Sequence, residues 1–160
     1  MLVLLEGLCM CFWLLLICVV GIADGPVGLV VFYEPDVQNR VIELGLTTRE
    51  TIRRRRAITA ALLFLPLLTA VPAMVYLYNG AEQFREGFLQ LSGIYLIMGL
   101  FDRIFIDWYW VGHTRAWIIS GTEDLMPYIP KPVLWKKWLG TLIGFPLLAA
   151  IQAAVFSRIF

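Results

Sequence analysis

The sequence predicts an all-α protein: an integral membrane four-helix bundle with a short cytoplasmic helix-turn-helix and an interfacial loop. Three observations carry that expectation. Hydrophobic residues make up 60% of the 160 and charged residues only 16%, against roughly 25% charged in an average soluble domain. Mean hydropathy is +0.78. Four runs, at residues 7–32, 57–78, 88–107 and 139–159, approach or exceed the length needed to cross a bilayer, which takes about 20 mostly apolar residues for about 30 Å of hydrocarbon. None of the runs is strongly amphipathic, as suits helices surrounded by lipid and by one another. A chain of this length is read as a single domain.

The first run poses a signal-peptide question, because Gly21-Ile22-Ala23 is a small-x-small pattern. A signal peptide carries a positive n-region, whereas residues 1–8 contain Glu6 and no Lys or Arg. The run is therefore expected to be a true span. Asp24-Gly25-Pro26 is expected to kink it and to open backbone groups to a cavity.

The loop after the first run opens with Glu34-Pro35-Asp36, a proline suited to a first helical turn beside acids that favour the positive end of the helix dipole. A short helix follows, with Val37, Val41 and Leu44 on one stripe and Gly45 as its stop. Thr47-Thr48-Arg49-Glu50 reads as a capping box that starts a new helix. This helix is expected to run through Arg53, Arg54, Arg55 and Arg56 into the second run. Such a cluster can attract anionic lipid headgroups, and arginines at a boundary also enforce topology and snorkel. Pro66, Pro72 and Pro146 are expected to bend the second and fourth runs.

Orientation follows from the loops. Six arginines lie in residues 33–56, and four basic residues, Arg115, Lys131, Lys136 and Lys137, lie in residues 108–138. The connection at 79–87 has only Arg85. Positive residues are retained on the cytoplasmic side, so both termini are expected outside the cytoplasm. The loop at 108–138 holds five of the six tryptophans, the signature of the headgroup level. Its Gly112–Ile119 portion is expected to lie along the boundary or fold back under the bundle. Glu123 and Asp124 are expected to begin a short helix capped by Thr122, and the stretch from Pro127 to Pro132 to be extended.

Charges within spans are rare and mark functional sites by default. Asp102, Arg103 and Asp107 are such charges, about 21 Å or more along a helix entering near Phe88, hence near the cytoplasmic boundary. Arg103 and Asp107 can face each other at i, i+4. Asp24 is the expected partner from the first run. Together Asp24, Asp102, Arg103 and Asp107 are read as an inner-leaflet pocket for a polar ligand, a lipid headgroup or a proton, in a binding or transport-type or accessory protein. A second reading is a lipid-modifying enzyme in which Asp107 orients His113, the single histidine, as an acid/base pair. A third is structural, with the charges stapling helices together.

Other chemistry finds little support in the residues. One histidine cannot make a multi-His site, and Cys9 and Cys11 lie about 200° apart on a helix, so no metal site is expected, nor any cofactor. Three cysteines within residues 9–18 do not make a secreted disulfide scaffold. A net charge of +1 argues against nucleic acid as a partner. Small residues such as Gly93, Gly99, Gly140 and Ala153 favour close helix approach and allow a homo-oligomer or a membrane partner subunit.

Overall fold

The computed structural model describes residues 1–159. Among them the regular structure is entirely helical, and four helices are long and apolar enough to cross a membrane. We label the helices α1 (Leu2–Gly21), α2 (Pro35–Glu43), α3 (Arg49–Leu77), α4 (Phe84–Val111) and α5 (Lys131–Phe156). Short 3-10 turns occupy Pro26–Phe32, Arg115–Trp117 and Glu123–Leu125.

Side-chain pairings fix the order of the long helices as up, down, up, down. Glu6 meets Asn79 and Trp13 bonds the Leu62 carbonyl, so α1 and α3 are antiparallel. The Gly93 and Ile97 region lies against Val3 and Gly7, so α1 and α4 run in parallel. Tyr95 bonds Gln152 while Asp107 pairs with Lys137, so α4 and α5 are antiparallel. The core centres on α4, whose Leu91, Ile94 and Tyr95 are fully enclosed. Outward faces carry Phe12, Phe64, Leu89, Leu142 and Leu147, all exposed, as a lipid-facing surface requires.

Three of the four long helices, α1, α4 and α5, differ in their ends from the sequence expectation. The first run stops at Gly21 rather than continuing to residue 32. Gly25 adopts φ +107°, and Pro26–Phe32 turns back on the end of α1. There Gly28 packs so tightly that a Cβ would come within 1.8 Å of the Gly21 carbonyl oxygen. The helix α3 starts at Arg49, beside the expected box and ahead of its apolar run, whereas α4 and α5 begin earlier than expected and α4 also runs on to Val111. Lys131, Lys136 and Lys137 therefore belong to α5 and not to a loop.

Near the prolines the second and fourth runs widen into i→i+5 turns. Pro66–Ala70 and Gly140–Gly144 are π-type segments, and each lies just ahead of a proline, Pro72 or Pro146. A proline ring clashes with the carbonyl four residues back and supplies no N–H; a locally widened turn relieves the clash. In the register where Val71 N–H reaches the Pro66 carbonyl, the absent N–H of Pro72 leaves the Leu67 carbonyl open. Gln152 Nε2 donates to it at 2.9 Å, and the Tyr95 hydroxyl, 2.7 Å away, shares its proton between it and Gln152 Oε1.

The short helix α2 forms as expected, with Val37 and Val41 buried but Leu44 half exposed. Gly45 ends it at φ +70°. The start of α3 falls one residue later than the expected box. Thr48 is the cap, its hydroxyl accepting from Thr51 N–H at 3.2 Å, which puts Glu50 one position short of the place from which it could reach back. Thr122 is likewise not a side-chain cap: its hydroxyl donates to the Ile119 carbonyl at 2.8 Å and meets the Tyr128 hydroxyl at 2.7 Å.

Candidate functional site

The ends of α1 and α4 and the starts of α3 and α5 share one end of the bundle, the arginine-rich end. A cavity of about 210 Å³ lies just inside it, and its lining includes Cys18, Asp102, Arg103, Asp107 and Lys137. Counted from the helix ends at 1.5 Å per residue, Cys18 is about 5 Å, Asp107 about 6 Å and Lys137 about 9 Å below that end.

Four of those residues form a charge-balanced chain. Arg103 pairs with Asp102 and, one turn on, with Asp107. Asp107 Oδ1 also accepts from Lys137 Nζ at 2.7 Å, across to α5. Arg103 and Asp107 are the buried centre, 7% and 6% exposed, whereas the Asp102 and Lys137 side chains are 25% and 31% exposed. The cavity thus presents an accessible acceptor and an accessible cation, with their partners enclosed. The Arg103–Asp107 contact is ionic without hydrogen-bond alignment, and Arg103 Nε has no hydrogen-bond partner. The backbone contributes too: Asp102–Val111 is a continuous π-type segment with no proline to cause it, and such segments collect at functional sites.

An aromatic cap closes the cavity from the loops. Tyr33 donates to the Trp117 carbonyl at 2.6 Å and meets Tyr128 edge to face at 4.9 Å. Tyr128 in turn accepts from Ile119 N–H at 3.2 Å, and Trp117 sits edge-on to Trp110. The residues from Arg115 to Tyr128 therefore fold back over the end of the bundle. Burial, and secondarily the neighbouring Tyr128, pushes the Tyr33 hydroxyl above its ordinary value. Arg40 ties α2 to this loop through paired 3.2 Å contacts with Asp124.

The structure brings Asp102, Arg103 and Asp107 together and keeps Asp24 apart. Because α1 ends at Gly21, Asp24 falls beyond the span. It lines a separate groove of about 560 Å³ with Trp13, Gly28 and Arg55. Arg103 has Asp102 and Asp107 instead. His113 does not share the ionic cavity with Asp107: it is exposed, its Nδ1 lies 2.6 Å from the Trp108 carbonyl and its ring packs on Trp108. That removes the geometric support for the Asp107–His113 acid/base pair. Lys137 is the member that sequence reasoning missed. Its signal was faint: continuing the helix back to Lys131 would have put Lys137 at the depth of Asp107.

The four consecutive arginines diverge, since neighbours on a helix are about 100° apart. Arg53 and Arg56 line a cleft against α2 together with Arg49. Arg55 turns to the Val27 carbonyl at 3.2 Å and lines the Asp24 groove. Among the described residues, no group of three or more His, Cys, Asp or Glu side chains is placed to hold a metal ion. The chain matches no family model, no curated protein and no solved structure.

Proposed function

We infer that this chain is a multi-pass membrane protein that binds, in its ionic cavity, the polar head of a lipid-like molecule with no net charge. The observation that carries this reading is the pairing of an accessible Asp102 with an accessible Lys137 around one cavity whose four charges cancel. A charged ligand would unbalance that chain in a medium of low dielectric, where uncompensated charge is costly. A head carrying both donors and acceptors can address both open groups at once. The apolar lining, including Leu14, Phe32 and Ile106, suits the adjoining acyl or hydrocarbon portion. The loop charges favour an arginine-rich end on the cytoplasmic side and both termini on the other.

The test is native mass spectrometry of the full chain released from membranes, beside the Asp102→Asn variant. Asn keeps the shape and Arg103 keeps Asp107, so the variant is expected to fold with lowered stability, and its Tm in the same detergent is measured beside occupancy to separate loss of ligand from loss of fold. The wild-type chain should carry a neutral lipid whose occupancy falls about fivefold in the variant, the loss of roughly one hydrogen bond. Equal occupancy in the two chains, or none in the wild type, overturns the reading and leaves the charges as a helix staple.

A further inference from the structure

We propose a second and independent site: the cleft between α2 and the start of α3 binds a phosphomonoester group. Arg49, Arg53 and Arg56 stand at i, i+4 and i+7, one face of a helix, and all three line a cleft of about 310 Å³ whose opposite wall includes Gln38 and Asn39 of α2. No carboxylate lines it, and among the described residues none of the three arginines forms an ion pair. This contrasts with the ionic cavity, where every cation has its acid.

The cleft is held in shape by its own polar wall. Gln38 Nε2 donates to the Tyr33 carbonyl at 2.7 Å, which fixes the amide, and its Oε1 accepts from Arg56 Nη2 at 3.1 Å. Arg56 is thereby oriented, with its remaining donors left for a ligand. Gly45 at φ +70° makes the tight reversal that brings α2 back beside α3.

Three guanidinium groups, each able to bind phosphate oxygens in a bidentate fork, match a ligand of charge near −2 better than one of −1. A phosphomonoester carries about −1.5 to −2 at neutral pH, a phosphodiester one. The height fits a membrane source as well as a soluble one. The apolar run of α3 begins at Ala57, so Arg56 stands at its edge and Arg49 about 10 Å further out, across the headgroup layer. The shared chemistry is therefore a phosphomonoester, either on a lipid or free.

The experiment uses the full chain in phosphatidylcholine nanodiscs and reads the Tm shift that binding produces by mass action. One arm adds phosphatidic acid to the disc, a second phosphatidylglycerol, and a third adds inorganic phosphate to the buffer around phosphatidylcholine discs. Phosphatidic acid should raise Tm more than phosphatidylglycerol if the source is a lipid; a shift with inorganic phosphate alone identifies a soluble ester. Arg53→Gln should weaken the effective ligand about tenfold, as expected for a lost charge-assisted contact. Arg54→Gln removes the same charge from a residue that does not line the cleft, and should cost no more than about fivefold, the general attraction of a basic residue to an anionic surface. Asn39→Asp, which puts a carboxylate into the wall, should abolish the shift and serves if Arg53→Gln folds poorly. The proposal is overturned if neither phosphatidic acid nor phosphate shifts Tm, if the diester lipid matches the monoester, or if Arg54→Gln costs as much as Arg53→Gln.

Discussion

Lys137 Nζ lies 2.7 Å from Asp107 Oδ1, and this bond joins α5 to α4 in the lining of the cavity. Asp107 is thereby shared between Arg103 on its own helix and Lys137 on the next. Removing one member of a buried ion pair leaves a charge without compensation, at a cost of roughly 3–5 kcal/mol. The 31% exposure of the Lys137 side chain puts Lys137→Met at the low end, about 3 kcal/mol. Asp107→Leu combined with Lys137→Leu should recover most of that loss, because the remaining Asp102–Arg103 pair is balanced. Thermal unfolding in one detergent checks both; a double variant no more stable than Lys137→Met would show that the pair is not the source of the loss.

The Leu67 carbonyl supplies a second expectation. It lies open because Pro72 has no N–H; Gln152 Nε2 donates to it from α5, and the single Tyr95 hydroxyl proton on α4 is shared between it and Gln152 Oε1. Gln152→Leu should destabilise the chain by about 1 kcal/mol, the usual range for an interhelical bond in a membrane protein. Pro72→Ala restores a backbone donor in the same turn. In the Pro72→Ala background Gln152→Leu should therefore cost clearly less, a coupling that a double-mutant cycle measures. Strict additivity would mean that the proline and the glutamine do not act on a common carbonyl.

The bundle itself was legible in the sequence because apolar runs of bilayer length leave the backbone few alternatives. The helix ends were less so. Polar residues such as Lys131 are compatible with loop or helix, whereas the Thr47–Glu50 box located the start of α3 to within one residue. That ambiguity propagated to the site. Reading α1 through Pro26 put Asp24 inside the bundle, although the left-handed Gly25 and the close Gly21–Gly28 contact send the chain back before it gets there. Ending the loop at residue 138 hid Lys137. Asp102, Arg103 and Asp107 were found because charge in an apolar run is a signal of composition and needs no exact boundary. The cleft at Arg49 could not be read from four adjacent arginines, since helical geometry separates neighbours and unites residues three and four apart.

The cap carries a pH dependence whose sign is fixed by burial. Tyr33 is 6% exposed, and its hydroxyl is raised above the usual value first by burial and then by Tyr128. In the unfolded chain a tyrosine ionises near pH 10. The folded chain therefore keeps the proton to higher pH, and the associated stability is complete below about pH 10 and is lost as pH rises through the folded value. Within that window the loss is about 1.4 kcal/mol per pH unit. Tyr33→Phe cannot ionise and also lacks the bond to the Trp117 carbonyl, so at pH 8 it should be less stable than wild type by about 1 kcal/mol. Groups elsewhere titrate in both chains and cancel in the difference. The gap should close and then reverse between about pH 10 and pH 11, as the wild type alone loses its contribution. Denaturation of the two chains across this range checks it, and a gap that stays constant with pH would show that Tyr33 is not held protonated by the cap.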